Sequence, residues 1–166
     1  MCKGEWLFFL GCDDVFHNEF VLEKINKSMR STVLPVIYGN VQIKGNTGWA
    51  KDGEIYAGKF SKNRMLVKSI CHQAIFYQKK FVISNNLTFN LQYPVSADWH
   101  FNLCCRRLTK FKYVNVVIAI FSAGGISTTR RDSFPDSIKI EFADLLPSKL
   151  EIYVKESVKK IIRFFK

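Results

Sequence analysis

The chain has 166 residues, of which 48% are hydrophobic and 14% aromatic, a composition that suits one compact domain with an adequate core and excludes general disorder. Lys and Arg number 25 against 14 Asp and Glu, and the resulting charge of +11 restricts attractive partners to anions such as a nucleotide diphosphate, nucleic acid or acidic lipid headgroups. Five scattered cysteines without a C-x-x-C pair argue against a disulfide framework or a zinc knuckle, and no run approaches the roughly 18 apolar residues of a membrane span.

Taken in chain order, Trp6 to Leu10 is a continuous apolar run closed by Gly11, the pattern of a strand covered on both faces. It begins almost at Met1, so the chain starts as if from the middle of a domain. Asp13 and Asp14 follow at its carboxyl end. Phe16, Phe20 or Val21, Ile25 and Met29 then recur at helical spacing, with Lys24, Lys27 and Arg30 between them, and predict an amphipathic helix ending before Pro35. Val36 to Lys44 and Glu54 to Phe60 are rich in β-branched and aromatic residues and are joined by Gly45-Asn46 and Asp52-Gly53, which predicts a hairpin with a long tip.

Ser61 is placed to cap a short helix, and Gln73 to Phe81 returns to extended character. Ala97, Phe101, Cys104, Cys105 and Leu108 form one apolar stripe of a helix capped by Ser96, with Asp98 in its first turn. Tyr113 to Phe121 predicts a second strongly apolar strand, closed by Gly124-Gly125. The polar stretch that follows, punctuated by Pro135, reads as a linker over 132–147, and 148–166 as a basic amphipathic helix with Lys155, Lys159, Lys160, Arg163 and Lys166 on one side. Strands interspersed with helices indicate an α/β fold with a mixed sheet.

Several of these residues carry chemistry. Two aspartates at the carboxyl end of a strand lie where open α/β sheets place ligand crevices, and Mg2+ or Mn2+ is commonly held by one or two carboxylates with substrate phosphates. Taken alone, the pair reads more readily as a helix cap and its neighbour than as a metal site. Asp98 is either a first-turn acid favoured by the helix dipole or a carboxylate able to take a proton from a hydroxyl. His72 and Gln73, between a basic helix and a strand, suit either hydrogen bonds to sugar hydroxyls and phosphates or a packed junction. Lys59, Lys62, Arg64 and Lys68 form either a solvated face or a border of the crevice.

Taken together, the motifs resemble a known family. Gly4-Glu5-Trp6-Leu7-Phe8-Phe9-Leu10-Gly11-Cys12-Asp13-Asp14 is similar to the GEW(I/L)-x-FLG(S/A)DD segment of bacterial family 2 glycosyltransferases, GT-A fold enzymes of cell-surface polysaccharide synthesis. Val36 to Val41, Cys71 to Tyr77, Ser96 to Leu103 and Phe121 to Ser127 follow in the family's order, so the resemblance covers about Gly4 to Arg131.

The resemblance implies a partial GT-A fold (nucleotide-diphospho-sugar transferase-like), with 1–131 as the catalytic portion of the domain. It implies transfer of a sugar from a nucleotide-diphosphate sugar to a glycan or lipid-linked acceptor. Asp13 and Asp14 would hold Mn2+ or Mg2+, Asp98 would be the general base of an inverting displacement, and His72, Gln73, Trp99 and His100 would line the acceptor side. The scattered cysteines suit a reducing cytoplasm, the basic stripe of 148–166 predicts peripheral contact with the inner face of the membrane, and the lack of a recognised nucleic-acid motif argues against nucleic acid as partner. Two departures stand out: Asn40 occupies a position where relatives often have aspartate, and the nucleotide-binding units that precede the Asp-Asp motif in the family are missing from this sequence. The alternative is a non-catalytic basic module that binds nucleic acid or an anionic membrane surface.

Overall fold

The computed structural model describes residues 2–147. The described residues build one mixed sheet of six strands: β1 (Trp6–Phe8), β2 (Val15–Phe16), β3 (Val36–Lys44), β4 (Ile55–Tyr56), β5 (Ile75–Gln78) and β6 (Lys112–Ser122). Their order is β1-β5-β3-β6-β2, with β4 pairing the far half of β3. Only β3 and β6 run parallel; the remaining pairs are antiparallel. The β3–β6 register slips between Tyr38 and Val41, and Gly39 sits at the slip, where a Cβ would lie 2.5 Å from the Val116 carbonyl oxygen. That close backbone approach is open only to glycine.

The period of two along the strands sorts the core into halves. Val36, Tyr38, Ile75 and Tyr77 face one side, where they pack with Phe101, Leu103 and Cys105 of α4 (Ala97–Leu108). Ile37, Val41, Ile43 and Phe76 face the other, against Val21 and Ile25 of α1 (Val21–Arg30), an i,i+4 pair on its buried stripe. Leu7 joins the first cluster and Trp6 and Phe8 the second, so β1 contributes to both faces as its apolar run predicts. It lies at the sheet edge rather than centrally, however, because β5 is its sole partner among the described residues.

The short elements follow local chemistry. Ser61 Oγ accepts from the Arg64 amide and caps α2 (Lys62–Met65). The helix before Pro35 starts later than its apolar spacing predicts, since Val15 and Phe16 are taken by pairing with β6. Extended chain after Gln73 ends at Gln78, where α3 (Lys79–Ser84) begins. Gly125 precedes the one-turn α5 (Ile126–Thr129).

The linker expected over 132–147 is replaced by a packed helix. There α6 (Phe134–Glu141), with Pro135 in its first turn, and a following 3-10 turn bury Phe134, Ile138, Phe142 and Leu145 in the α4-side cluster. Their spacing of four, four and three residues is helical, and the surrounding polar residues mask it at the sequence level. The basic helix expected over 148–166 lies outside the described residues. Among the described residues, no helix is long and apolar enough to cross a membrane.

Candidate active site

After β1 the chain makes a tight turn in which the Asp14 amide donates to the Gly11 carbonyl at 3.2 Å. The two aspartates leave this turn differently. Asp13 is exposed, and its backbone carbonyl accepts from Ser122 Oγ at 2.7 Å. Asp14 is only 7% exposed. Its Oδ1 accepts from the Ser122 amide at 3.0 Å and its Oδ2 from Gln73 Nε2 at 2.7 Å. A Cβ at position 11 would lie 2.6 Å from Asp14 Oδ2 and 3.0 Å from Asp13 Oδ1, so Gly11 leaves the room that both carboxylates occupy.

Gln73 belongs to a 3-10 turn, His72–Ala74, that leads into β5. Successive side chains on such a turn diverge, and the two polar ones reach opposite acids. Gln73 bonds Asp14, while His72 Nδ1 lies 3.6 Å from Asp98 Oδ2 in the first turn of α4. The dipeptide thereby bridges carboxylates that are 84 positions apart in the chain. Cys71, next to it, feels both: burial first, then the nearby charges of Asp98 and Asp14, pushes its thiol pKa well above the usual range. That thiol stays protonated and is no nucleophile. Gln73 itself is 2% exposed, and its Oε1 has no hydrogen-bond partner among the described residues.

His72, Gln73 and Asp98 line a cavity of about 610 Å3, a size typical of small-molecule sites. Lys68, Arg130 and Arg131 add positive charge to its lining. Asp132, which the sequence did not single out, fixes the start of α4: its Oδ2 accepts from the Val95 and Ser96 amides at 2.9 and 2.8 Å. Burial raises the Asp132 pKa, but the Ser96, Val95 and Phe134 amide bonds outweigh it and leave the group below the usual carboxylate range. Ser96 precedes the helix as expected, though its side chain makes no capping bond. Asp132 does that work from 36 residues away, beyond the reach of local spacing.

The other expected site residues separate. Trp99 borders the cavity, but its indole N–H donates to the Met65 carbonyl at 2.7 Å. His100 leaves the site altogether. It lies two residues, or about 200° of helical rotation, beyond Asp98 and packs on the other side of α4 among Tyr93, Phe134 and Phe142. Asn40 is a buried structural residue: its Oδ1 accepts from the Gly58 amide and the Tyr113 hydroxyl, and its Nδ2 donates to Asn115. Arg64 braces the β4–α2 loop, lying over the Phe60 ring and bonding the Ala57 and Lys59 carbonyls.

As a metal site, the cluster has limited capacity. Both Asp14 oxygens are already engaged and buried, and no group of three or more His, Cys, Asp or Glu residues among the described residues is placed to hold an ion. One exposed carboxylate, Asp13, fits an ion that takes most of its ligands from substrate phosphates and water.

This mixed sheet with its acid-bearing turn is a partial GT-A fold, the architecture of nucleotide-sugar transferases. Part of TarS from Staphylococcus aureus, crystallised in complex with UDP, superposes on 86% of this chain with a TM-score of 0.57, covering 47% of TarS 1-349 at 13% identity. TarS 1-349 in complex with UDP-GlcNAc superposes on 87% with a TM-score of 0.58, covering 49% of that chain at 12% identity. By sequence the chain is similar to glycosyltransferases: it is 31% identical, over 161 residues and 93% of its length, to a "PGL/p-HBAD biosynthesis glycosyltransferase" of Mycobacterium bovis and to one of Mycobacterium tuberculosis. It spans 57% of the length of these relatives. No family model matches it.

Proposed function

We propose that this chain forms the acceptor side and the acid-bearing lip of a glycosyltransferase site, in which a sugar passes from a nucleoside diphosphate donor to a hydroxyl group of a glycan or lipid-linked acceptor. The observation that carries this reading is the His72-Gln73 bridge, which joins the buried Asp14 to Asp98 on the wall of a small-molecule cavity. The similarity to named glycosyltransferases and the UDP complexes of TarS support the choice of donor class.

In this reading Asp98 accepts the proton of the acceptor hydroxyl as that oxygen attacks the anomeric carbon. The new C–O bond forms on one face while the bond to the diphosphate breaks on the other, its electron pair leaving with the phosphate oxygen, so configuration inverts. His72 sets the orientation of the Asp98 carboxylate, and Arg130, Arg131 and Lys68 attract the anionic donor. Asp13 would hold Mn2+ or Mg2+, which would stabilise the negative charge of the departing diphosphate. Asp14 is a positioning residue that ties the turn to β6 and Gln73. The setting this reading proposes is the inner face of the cytoplasmic membrane, where a nucleoside diphosphate donor can meet a lipid-linked acceptor.

Thermal denaturation with Mn2+ and UDP tests the site directly, because a ligand of the folded state alone raises the melting temperature. A rise with both together is expected, and Asp13→Ala should abolish it while leaving the unliganded melting temperature in place. No rise with the intact chain, or a rise that survives Asp13→Ala, would overturn the assignment. Salt-sensitive, submicromolar binding of a single-stranded oligonucleotide would favour the basic nucleic-acid module instead.

A further inference from the structure

The sheet has two ends, and the acids gather at one of them. There β3 and β6 finish together, with Lys44 beside Ser122, and Ser122 bonds Asp13 and Asp14. The opposite end is drawn together by the backbone. The Gln78 amide donates to the Pro35 carbonyl and the Lys79 amide to the Glu5 carbonyl, both at 2.7 Å, while Ile37 pairs with Lys112. The start of β1, the entry to β3, the exit of β5 and the start of β6 therefore lie side by side, roughly 25 Å from the acid-bearing end along the nine residues of β3.

Cations collect at this second end. Lys3, Arg30, Lys80, Lys110 and Lys112 are exposed there, and Lys79, half-buried, donates to the Cys2 carbonyl at 2.5 Å. Glu5 is the one acid on the same stretches, 3–5, 30–35, 78–80 and 108–112. The ion pairs of the described residues leave all six cations out. Cations scattered over the whole surface would serve solubility without the mutual repulsion that this grouping brings.

Two aliphatic side chains stand among these charges. Val33, in the α1–β3 connection, is 99% exposed, and Leu108, at the end of α4, is 51% exposed. The rings nearby, Trp6 and Phe111, pack against the two core clusters and form no platform for stacked bases. Basic groups around a projecting aliphatic side chain suit the headgroup and acyl boundary of an anionic bilayer. The described chain also leaves from this end. Arg107 bonds Asp144 at 2.8 and 2.6 Å, which holds the last 3-10 turn beside Leu108, and the sequence beyond it carries further cations such as Lys155, Lys159 and Lys160.

We propose that this basic end is a docking surface for an anionic phospholipid bilayer, with the six cations at the headgroup phosphates and Val33 inserted among the upper acyl carbons. None of these residues lines the cavity, so the surface stands apart from the transferase reading. Docking by this end holds Asp13 and Asp14 clear of the headgroups on the aqueous side, and an acceptor carried on a lipid has to extend from the bilayer to reach them.

Co-sedimentation of the full chain with vesicles of equal parts phosphatidylcholine and phosphatidylglycerol tests this, with pure phosphatidylcholine vesicles beside them. Binding to the anionic vesicles alone is expected, and it should weaken steeply as salt is added. A variant carrying Lys80→Gln, Lys110→Gln and Lys112→Gln should lose about 100-fold in partitioning, since each basic residue near an anionic surface contributes roughly fivefold. Arg at the same three positions should keep the parent's binding, and Val33→Ser should weaken it about fivefold.

No binding to the anionic vesicles, equal binding to pure phosphatidylcholine, or a triple Gln variant that binds like the parent would overturn the proposal. A second variant, with Lys155→Gln, Lys159→Gln and Lys160→Gln, probes the sequence beyond Pro147. If it alone loses binding, the contact belongs to that segment and the basic end is no docking surface. Tighter binding of a single-stranded oligonucleotide than of the vesicles, lost in the first triple variant, would assign the basic end to nucleic acid instead.

Discussion

Helix α4 shows Asp98 to the cavity and, about half a turn further on, His100 to α6, and the two polar clusters it joins contrast in how completely they are bonded. On the α6 side Glu141 accepts from Ser137 Oγ at 2.6 Å and from the Tyr93 hydroxyl, and lies 3.6 Å from His100 Nε2. Arg107 closes that cluster with two bonds to Asp144 and one to the Glu141 carbonyl. In the cluster around Gln73, Oε1 of that residue lacks a partner among the described residues, the Asp13 side chain is exposed, and Asp98 meets His72 at a long 3.6 Å. A saturated network holds helices together, while an unsaturated one keeps bonding capacity for a ligand. His100, 3.7 Å from Cys104 Sγ and facing Glu141, looks like a nucleophile's base, but burial raises the Cys104 pKa and lowers that of His100, and neither change activates a thiol.

If that contrast is right, changes at the open cluster alter chemistry and changes at the closed one alter stability. The largest effect is expected at Asp98. Asp98→Asn should slow Mn2+-dependent transfer from a UDP-sugar by about 10²–10⁴-fold, the usual worth of a general base. Its melting temperature should stay close to that of the parent. Transfer at an undiminished rate would remove Asp98 from the reaction and break the comparison at its first member.

Asp14 straddles the two categories and sharpens the division. Asp14→Ala strands a buried Gln73 amide and the Ser122 N–H, at about 3 kcal/mol for the pair. Asp14→Asn should cost only about 1 kcal/mol, because Oδ1 still accepts from Ser122 and the Gln73 amide can turn to accept from the new side chain. Urea denaturation midpoints check both values. Equal losses for the two variants would show that charge, and not the bonding pattern, is what this position supplies.

The sequence made the open cluster far more legible than the closed one. Asp13, Asp14, His72, Gln73 and Asp98 sit in short motifs at element ends, where order along the chain already suggests a shared crevice. It did not separate a buried Asp14 from an exposed Asp13, because that difference is created by β6 pairing more than a hundred residues away. His100 was misplaced by adjacency: neighbours in a helix face different ways. The α6 segment was misread because four buried apolar residues are diluted by Asp136, Ser137, Lys139, Glu141 and Asp144.

Removing the hub of the closed cluster should be felt in stability alone. Glu141→Ala removes the carboxylate that the Tyr93 and Ser137 hydroxyls share, leaving them each other and the Phe134 carbonyl, and is expected to lower the melting temperature. The Mn2+ and UDP response should persist. A lost response at preserved stability would mean that the α4–α6 contact also sets Asp98, and the two regions would have to be treated as one.

The smallest expected effect is a pH dependence that belongs to the closed cluster. Burial lowers the His100 pKa below its ordinary 6.5, with Glu141 opposing and Arg107 reinforcing the shift. Between the folded value and 6.5 the unfolded chain binds the proton and the folded chain does not, so stability declines as pH falls through 6.5 and levels off below the folded value. Burial raises the Glu141 pKa, but its bonds to Ser137 and Tyr93 outweigh this and leave it below 4.5, so a further loss sets in as pH drops under 4.5 toward the folded value. His100→Phe keeps a ring among Tyr93, Phe134 and Phe142 and should flatten the melting-temperature profile between pH 7 and 5.5 while leaving the lower step. An identical slope in parent and variant would place the acid sensitivity in another group, and His100 would then serve packing alone.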